Sequence, residues 1–160
     1  ELPAHEALLE QIATHPALAP FETDGCSGGM SDAWRLVADQ FEGFAEVLES
    51  EPPWEQCCVT HDRAYHNIGG AASPGASYDA RLQADRSLRT CVAQTGADER
   101  EAYAQQYGMR PDQVEWAFQT VAGAMFLAVR FGGGPCTGLP WRWGFGYEQC
   151  SLLDGALKSQ

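Results

Sequence analysis

Apolar positions recur at three- and four-residue steps along most of the chain, the period of an amphipathic helix. Between His5 and Thr14, Leu8, Leu9 and Ile12 fall on one side, and Pro16 and Pro20 then break the pattern. Ser31 and Asp32 are good helix caps. After them Trp34, Val37, Phe41, Phe44, Val47 and Leu48 mark a second helix that ends near Ser50, before Glu51-Pro52-Pro53. Proline is tolerated in a first turn, so Pro53 can open a third helix, which stops at Gly69-Gly70. Residues 71–77 (Ala-Ala-Ser-Pro-Gly-Ala-Ser) read as a loop. Another helix is expected from Tyr78 to Thr95, with shorter helical signals from Asp98 to Tyr107. Pro111-Asp112 opens the last long helix, through Trp116, Phe118, Val121, Met125 and Val129, and Gly132-Gly133-Gly134-Pro135 ends it. The tail is rich in glycine and aromatics, and strand signals are scarce. The expected class is all-α.

Composition sharpens this outline. A chain of 160 residues with 44% apolar content suits one domain with a real core, spanning 1–160. Within it, 30–56 reads as a helical insertion and 132–160 as an irregular tail. The formal net charge of −12 argues against nucleic acid, whose binding needs a basic face. It also argues against docking onto anionic lipid by charge alone. No stretch of about 18 apolar residues exists to span a membrane. The six cysteines, at 26, 57, 58, 91, 136 and 150, are what an oxidising compartment leaves, and no CxxC pair suggests zinc or thiol redox chemistry. Starting at Glu-Leu-Pro without an apolar signal segment, the chain reads as the mature form of a secreted protein or a trimmed one.

The candidate chemistry concentrates in Cys57-Cys58-Val59-Thr60-His61-Asp62-Arg63-Ala64-Tyr65. On a helix, Cys57, His61 and Tyr65 share one face at four-residue steps, and Cys58 and Asp62 share the next. Adjacent residues point about 100° apart, so the two cysteines seek different partners. Neutral histidine can take a proton from water near neutral pH. Asp62 offers oxygen to Ca2+, a hard cation that wants about six to eight oxygens. One helix cannot supply them, but backbone carbonyls of a tight loop such as Asp24-Gly25-Cys26-Ser27-Gly28-Gly29 can. A Cys26–Cys58 disulfide would hold that loop to the helix. A Cys57–Cys91 disulfide would bring up a second helix bearing Asp85, able to reach the far nitrogen of His61 and fix its tautomer as an aspartate does in a serine-protease triad. Cys136–Cys150 would close the tail. Six cysteines admit other pairings, and a Cys26–Cys91 bridge would dismantle this arrangement.

These residues resemble the secreted phospholipase A2 superfamily. Cys57 to Tyr65 matches its signature C-C-x-x-H-D-x-x-Y at every fixed position, and Asp85, Arg86 and Cys91 match its second segment. The calcium loop matches in part and looks closer to the bacterial and atypical branches. The resemblance implies a disulfide-stapled helical domain in which two long antiparallel helices carry the site. It implies calcium-dependent hydrolysis of the sn-2 ester of glycerophospholipids, presented on a membrane or micelle surface, by a secreted enzyme; the sequence leaves the oligomeric state open, with a monomer as the expectation. His61 would be the general base, Asp85 would orient it, and Tyr65 would hydrogen-bond Asp85. Ca2+ would be held by Asp62 and the Gly25 carbonyl. The rest would come from the Ser27 and Gly29 carbonyls, as in animal forms, or from the Asp24 side chain, as in bacterial ones. The Ser27 N–H would help hold the oxyanion. No acyl-enzyme forms in this family, in keeping with the lack of a GxSxG elbow.

The competing reading is a non-catalytic phospholipase-like module that binds calcium or a receptor, or serves as a toxin subunit. Inactive relatives commonly lack the His or the calcium Asp, and both stand here. His5 and His15 read as surface residues, and His66 as structural or exposed. The Trp34–Leu48 stripe reads as core packing or as a lid by the substrate slot. Trp141, Arg142, Trp143, Phe145 and Tyr147 form a candidate lipid-contact surface, since Trp and Tyr favour membrane interfaces.

Overall fold

The computed structural model describes residues 1–26 and 52–151. The helix expected between Ser31 and Ser50 lies outside the described residues. Among those described, five α-helices and one 3-10 turn form and no strand does: α1 (Leu2–Thr14), α2 (Glu55–His66), the turn Ile68–Gly70, α3 (Pro74–Asp98), α4 (Arg100–Tyr107) and α5 (Pro111–Gly132). The all-α expectation therefore holds among the described residues. The boundaries shift at two prolines. Pro3 falls in the first turn of α1, where it has no intrahelical N–H bond to lose, so the helix starts at Leu2 rather than His5. Pro74 does the same for α3. Ser73 Oγ accepts the Ala76 N–H at 3.3 Å, and the expected loop 71–77 shortens to end before Pro74.

The chain divides into two compact units. One comprises Glu1–Thr23, His61–Asp85 and the chain from Val129 onwards; the other comprises Asp24–Thr60 and Arg86–Ala128. The core of the first gathers Leu8, Tyr65, Ile68, Trp143 and Cys150, with Leu9, Ile12, Phe145 and Tyr147 packed around them. Its irregular tail is sewn to the end of α2 by backbone bonds. Gly144 N–H donates to the Tyr65 carbonyl at 2.7 Å and Gly146 N–H to that of His66 at 3.1 Å. Gly144 needs to be glycine, because its φ is +79° and a Cβ there would meet both Leu8 methyls at 2.9 Å. The Cys136–Cys150 disulfide closes this tail. Trp143 is fully buried at the centre of the unit, with its Nε1–H donating to Ser77 Oγ at 2.9 Å, and Arg142 is buried beside it. Trp143 and Arg142 are thereby removed from the expected lipid-contact surface, since an indole that fills the core cannot also face a membrane, whereas Trp141, Phe145 and Tyr147 are half-buried.

In the second unit Trp54, Cys57, Cys58, Leu88, Val92, Val114, Phe118 and Val121 are buried. Trp54 meets Phe118 edge-on at 5.2 Å, and Tyr103 stacks on the same ring at 5.3 Å. Gly96 of α3 lies so close to Phe118 that a Cβ would come within 2.3 Å of it. The Cys26–Cys58 and Cys57–Cys91 disulfides both belong to this unit. No helix of the described residues is long and apolar enough to cross a membrane.

Candidate active site

The last turns of α2 and the first turns of α3 face each other in the first unit. His61 meets Asp85 and Tyr65 meets Arg81, so later residues of one helix pair with earlier residues of the other, and the two run antiparallel. At twelve residues α2 is the shorter. His61 is nearly buried, and its Nε2 sits 2.9 Å from Oδ1 of a fully buried Asp85. Tyr65 OH donates to the same oxygen at 2.7 Å, and the phenol ring lies against the imidazole with centroids 4.1 Å apart. An ionised carboxylate only accepts, so the proton between His61 and Asp85 belongs to Nε2. The other nitrogen, Nδ1, is then free to accept a proton. It lies 3.8 Å from Asp62 Oδ1, too far for a hydrogen bond.

The electrostatics follow from this geometry. Burial works against the His61 imidazolium, but the carboxylates of Asp62 and Asp85 outweigh it and raise the imidazole above its usual range. Burial likewise opposes charge on Asp85, yet hydrogen bonds from His61, Arg130 and Tyr65 prevail and hold it below the ordinary carboxylate value. Burial, with the Asp85 charge added, pushes the Tyr65 phenol well above its usual value, so it remains a donor.

Asp62 is about one-fifth exposed, and its Oδ2 accepts from Thr23 Oγ1 at 2.6 Å. The donors are hard oxygens, the chemistry calcium prefers. Among the described residues no group of three His, Cys, Asp or Glu could hold a metal. Asp24, exposed, and Gly25, buried at φ +66°, belong to the second unit, where the Cys26–Cys58 disulfide fastens the chain just after them to α2. Ser27 and Gly29, expected as carbonyl ligands and the former also as oxyanion donor, lie outside the described residues.

Comparison with protein-family models, curated proteins and solved structures finds no match for the chain. The site rests on its own residues.

Several of those residues escape the sequence pattern. Arg130 Nη1 donates to Asp85 Oδ2 at 2.8 Å, and Arg81 Nε donates to Tyr65 OH at 3.1 Å. Glu1 receives both guanidiniums. His5, read as a surface residue, is fully buried, with Nδ1 2.8 Å from Ser77 Oγ and Nε2 3.3 Å from Glu1 Oε1. Its position on the inner face of α1, one turn before Leu8, decides that. Ser77 Oγ already accepts from Trp143, so its own proton can go to His5 Nδ1, leaving Nε2–H to donate to Glu1. His66 is also buried, donating Nε2–H to the Ala19 carbonyl at 2.9 Å, whereas His15 is exposed. The signal that could have found part of this set is Ser77, Arg81 and Asp85 at four-residue steps, one face of a single helix made of polar side chains.

Proposed function

We propose that this protein is a secreted, calcium-dependent phospholipase A2. It would hydrolyse the sn-2 ester of glycerophospholipids in a membrane or micelle surface, releasing a fatty acid and a lysophospholipid. The observation that carries the reading is His61 held through Nε2 by buried Asp85, with Nδ1 left as a base beside the Asp62 carboxylate. That arrangement sits on the residues that resemble the family signature. Three disulfides favour an oxidising compartment.

In this mechanism His61 Nδ1 takes a proton from a water as it attacks the ester carbonyl. The resulting imidazolium is stabilised by Asp85, which also fixes the ring so that Nδ1 and not Nε2 faces the water. Tyr65 keeps Asp85 in place by donating to Oδ1. The proton then passes from Nδ1 to the departing alkoxide, restoring neutral His61. Asp62 and the oxygens that the resemblance assigns to the Asp24–Gly29 loop would hold Ca2+, which supplies positive charge for the phosphate and the ester carbonyl.

The test is fatty-acid release from phosphatidylcholine with calcium, with EDTA, and in His61→Gln. Wild type with calcium should be active and EDTA should abolish activity. The variant should lose about a hundredfold or more, the usual worth of a general base. A wild-type protein that binds calcium and releases no fatty acid would be the non-catalytic module instead. Full activity in His61→Gln would overturn the mechanism.

A further inference from the structure

The signature residues account for only one oxygen of Asp85. His61 and Tyr65 both bond Oδ1. Oδ2 is taken by Arg130 Nη1 at 2.8 Å, from near the end of α5 and outside every segment that resembles the phospholipase pattern. The terminal torsion of an aspartate is broad, so a carboxylate held at one oxygen can turn about it. Held at both oxygens, its plane is fixed, and Oδ1 stays on His61 Nε2. Arg130 is itself held. Its Nη2 donates to Glu1 Oε2 at 2.8 Å, and Glu1 Oε1 accepts from Arg81 Nη1. Arg81, buried, completes the loop by donating Nε to Tyr65 OH and Nη2 to the carbonyls of Val129 and Arg130, at 2.7 and 3.0 Å. The circuit thus runs Arg81, Tyr65, Asp85, Arg130, Glu1 and back to Arg81. Its two guanidiniums and two carboxylates cancel. Asp85 is therefore a paired anion and not a lone buried one.

We infer that Arg130 is a positioning residue for the His61–Asp85 pair, locked in place by Glu1 and Arg81. For its kinetic consequence this rests on the phospholipase reading above; for the geometry of His61 it does not. Arg130 touches neither His61 nor the water-facing nitrogen, so its effect passes through Asp85. Lysine keeps the charge but loses the planar fork that reaches Asp85 and Glu1 together. A merely structural ion pair would lower stability and leave turnover per folded molecule unchanged.

The experiment compares wild type, Arg130→Lys and Arg130→Met by kcat and KM on phosphatidylcholine micelles with calcium. In parallel, the His61 Nε2–H proton is observed by NMR at one fixed pH without lipid. Arg130→Met should lose about tenfold or more in kcat, a part of the roughly 10²–10⁴ a general base supplies, with KM changed less than about twofold. Its Nε2–H resonance should shift or broaden away. Arg130→Lys should recover part of both. Wild-type kcat together with a wild-type resonance in Arg130→Met would overturn the inference. So would a rise in KM alone, which would make Arg130 a substrate contact. If Arg130→Met does not fold, Arg130→Gln replaces it, since its amide can donate once to Asp85 without bridging to Glu1; wild-type behaviour there also overturns it. If wild type releases no fatty acid, the phospholipase reading fails and the NMR comparison still decides the role of Arg130.

Discussion

An imidazole taken out of water prefers to be neutral, and His5 shows the consequence. Burial lowers its pKa below the usual 6.5, and Arg81 adds to that against the pull of Glu1. The unfolded chain therefore binds a proton at higher pH than the folded one. Stability from this group is complete above 6.5 and is lost as pH falls from there towards the depressed folded value, by at most about 1.4 kcal/mol per pH unit. His61, raised, contributes in the opposite sense, so the effect of His5 is read as a difference. Urea unfolding between pH 5 and 7 should show a shallower acid-side loss in His5→Gln than in wild type; parallel curves would contradict this account. At this scale the sequence was legible where one helix carries the chemistry. Cys57, His61 and Tyr65 lie four residues apart, so their shared face could be read directly. Glu1 and Arg130 are 129 residues apart, and no periodicity links them. His5 is not legible because a histidine by itself signals neither surface nor core, and its partner Ser77 lies in a stretch whose Ser-Pro-Gly composition suggests a loop.

Helix α5 was legible because its buried positions are apolar and periodic, and α1 through Leu8, Leu9 and Ile12, although His5 is buried beside them. Helix α3 was less so. Its inner face in the first unit is Ser77, Arg81 and Asp85, and Pro74-Gly75 at its start reads as a turn until Ser73 is seen to cap it. Farther along α3, Gly96 offers a test at the element scale. On an exposed helix Gly→Ala gains about 1 kcal/mol of helix propensity. Here the new Cβ would meet Phe118 Cβ and Cγ at 2.3 Å, atoms near the backbone that cannot swing aside. Overpacking of this kind costs about 1–3 kcal/mol. Gly96→Ala should therefore destabilise the protein in denaturant titration despite its better propensity. A stabilised variant would mean that α3 and α5 can part at this point without cost.

For the whole molecule, the phospholipase reading proposed above makes charge the property that decides which lipid surface suits it. With a net charge of −12 the protein is repelled by anionic vesicles beyond contact distance. Raising the ionic strength from about 0.01 to 0.15 M shortens the Debye length from about 30 to 8 Å. Initial rates of fatty-acid release should rise with salt on vesicles containing anionic phospholipid and stay nearly flat on pure phosphatidylcholine. A fall with salt on anionic vesicles would reveal a local cationic contact that the net charge conceals. The helical class of the described residues was readable from period, and their disulfide-stapled character from the even count of cysteines. The burial of Trp143 was not, because a tail rich in glycine and aromatics has no period from which to tell its inward residues from its outward ones.

Ser77, Arg81 and Asp85 also make α3 a ruler. A helix advances about 1.5 Å per residue, so these three graduations stand about 6 Å apart along one edge. The first meets the core at Trp143, the second the phenol of Tyr65 and the third the imidazole of His61. A point substitution erases one mark and leaves the others where they are. A single residue inserted between Arg81 and Asp85 would turn everything beyond it by about 100°, carrying the carboxylate off the edge while the helix itself remained whole. The site is thus far more sensitive to a change in chain length within this one turn than to most changes of side chain around it.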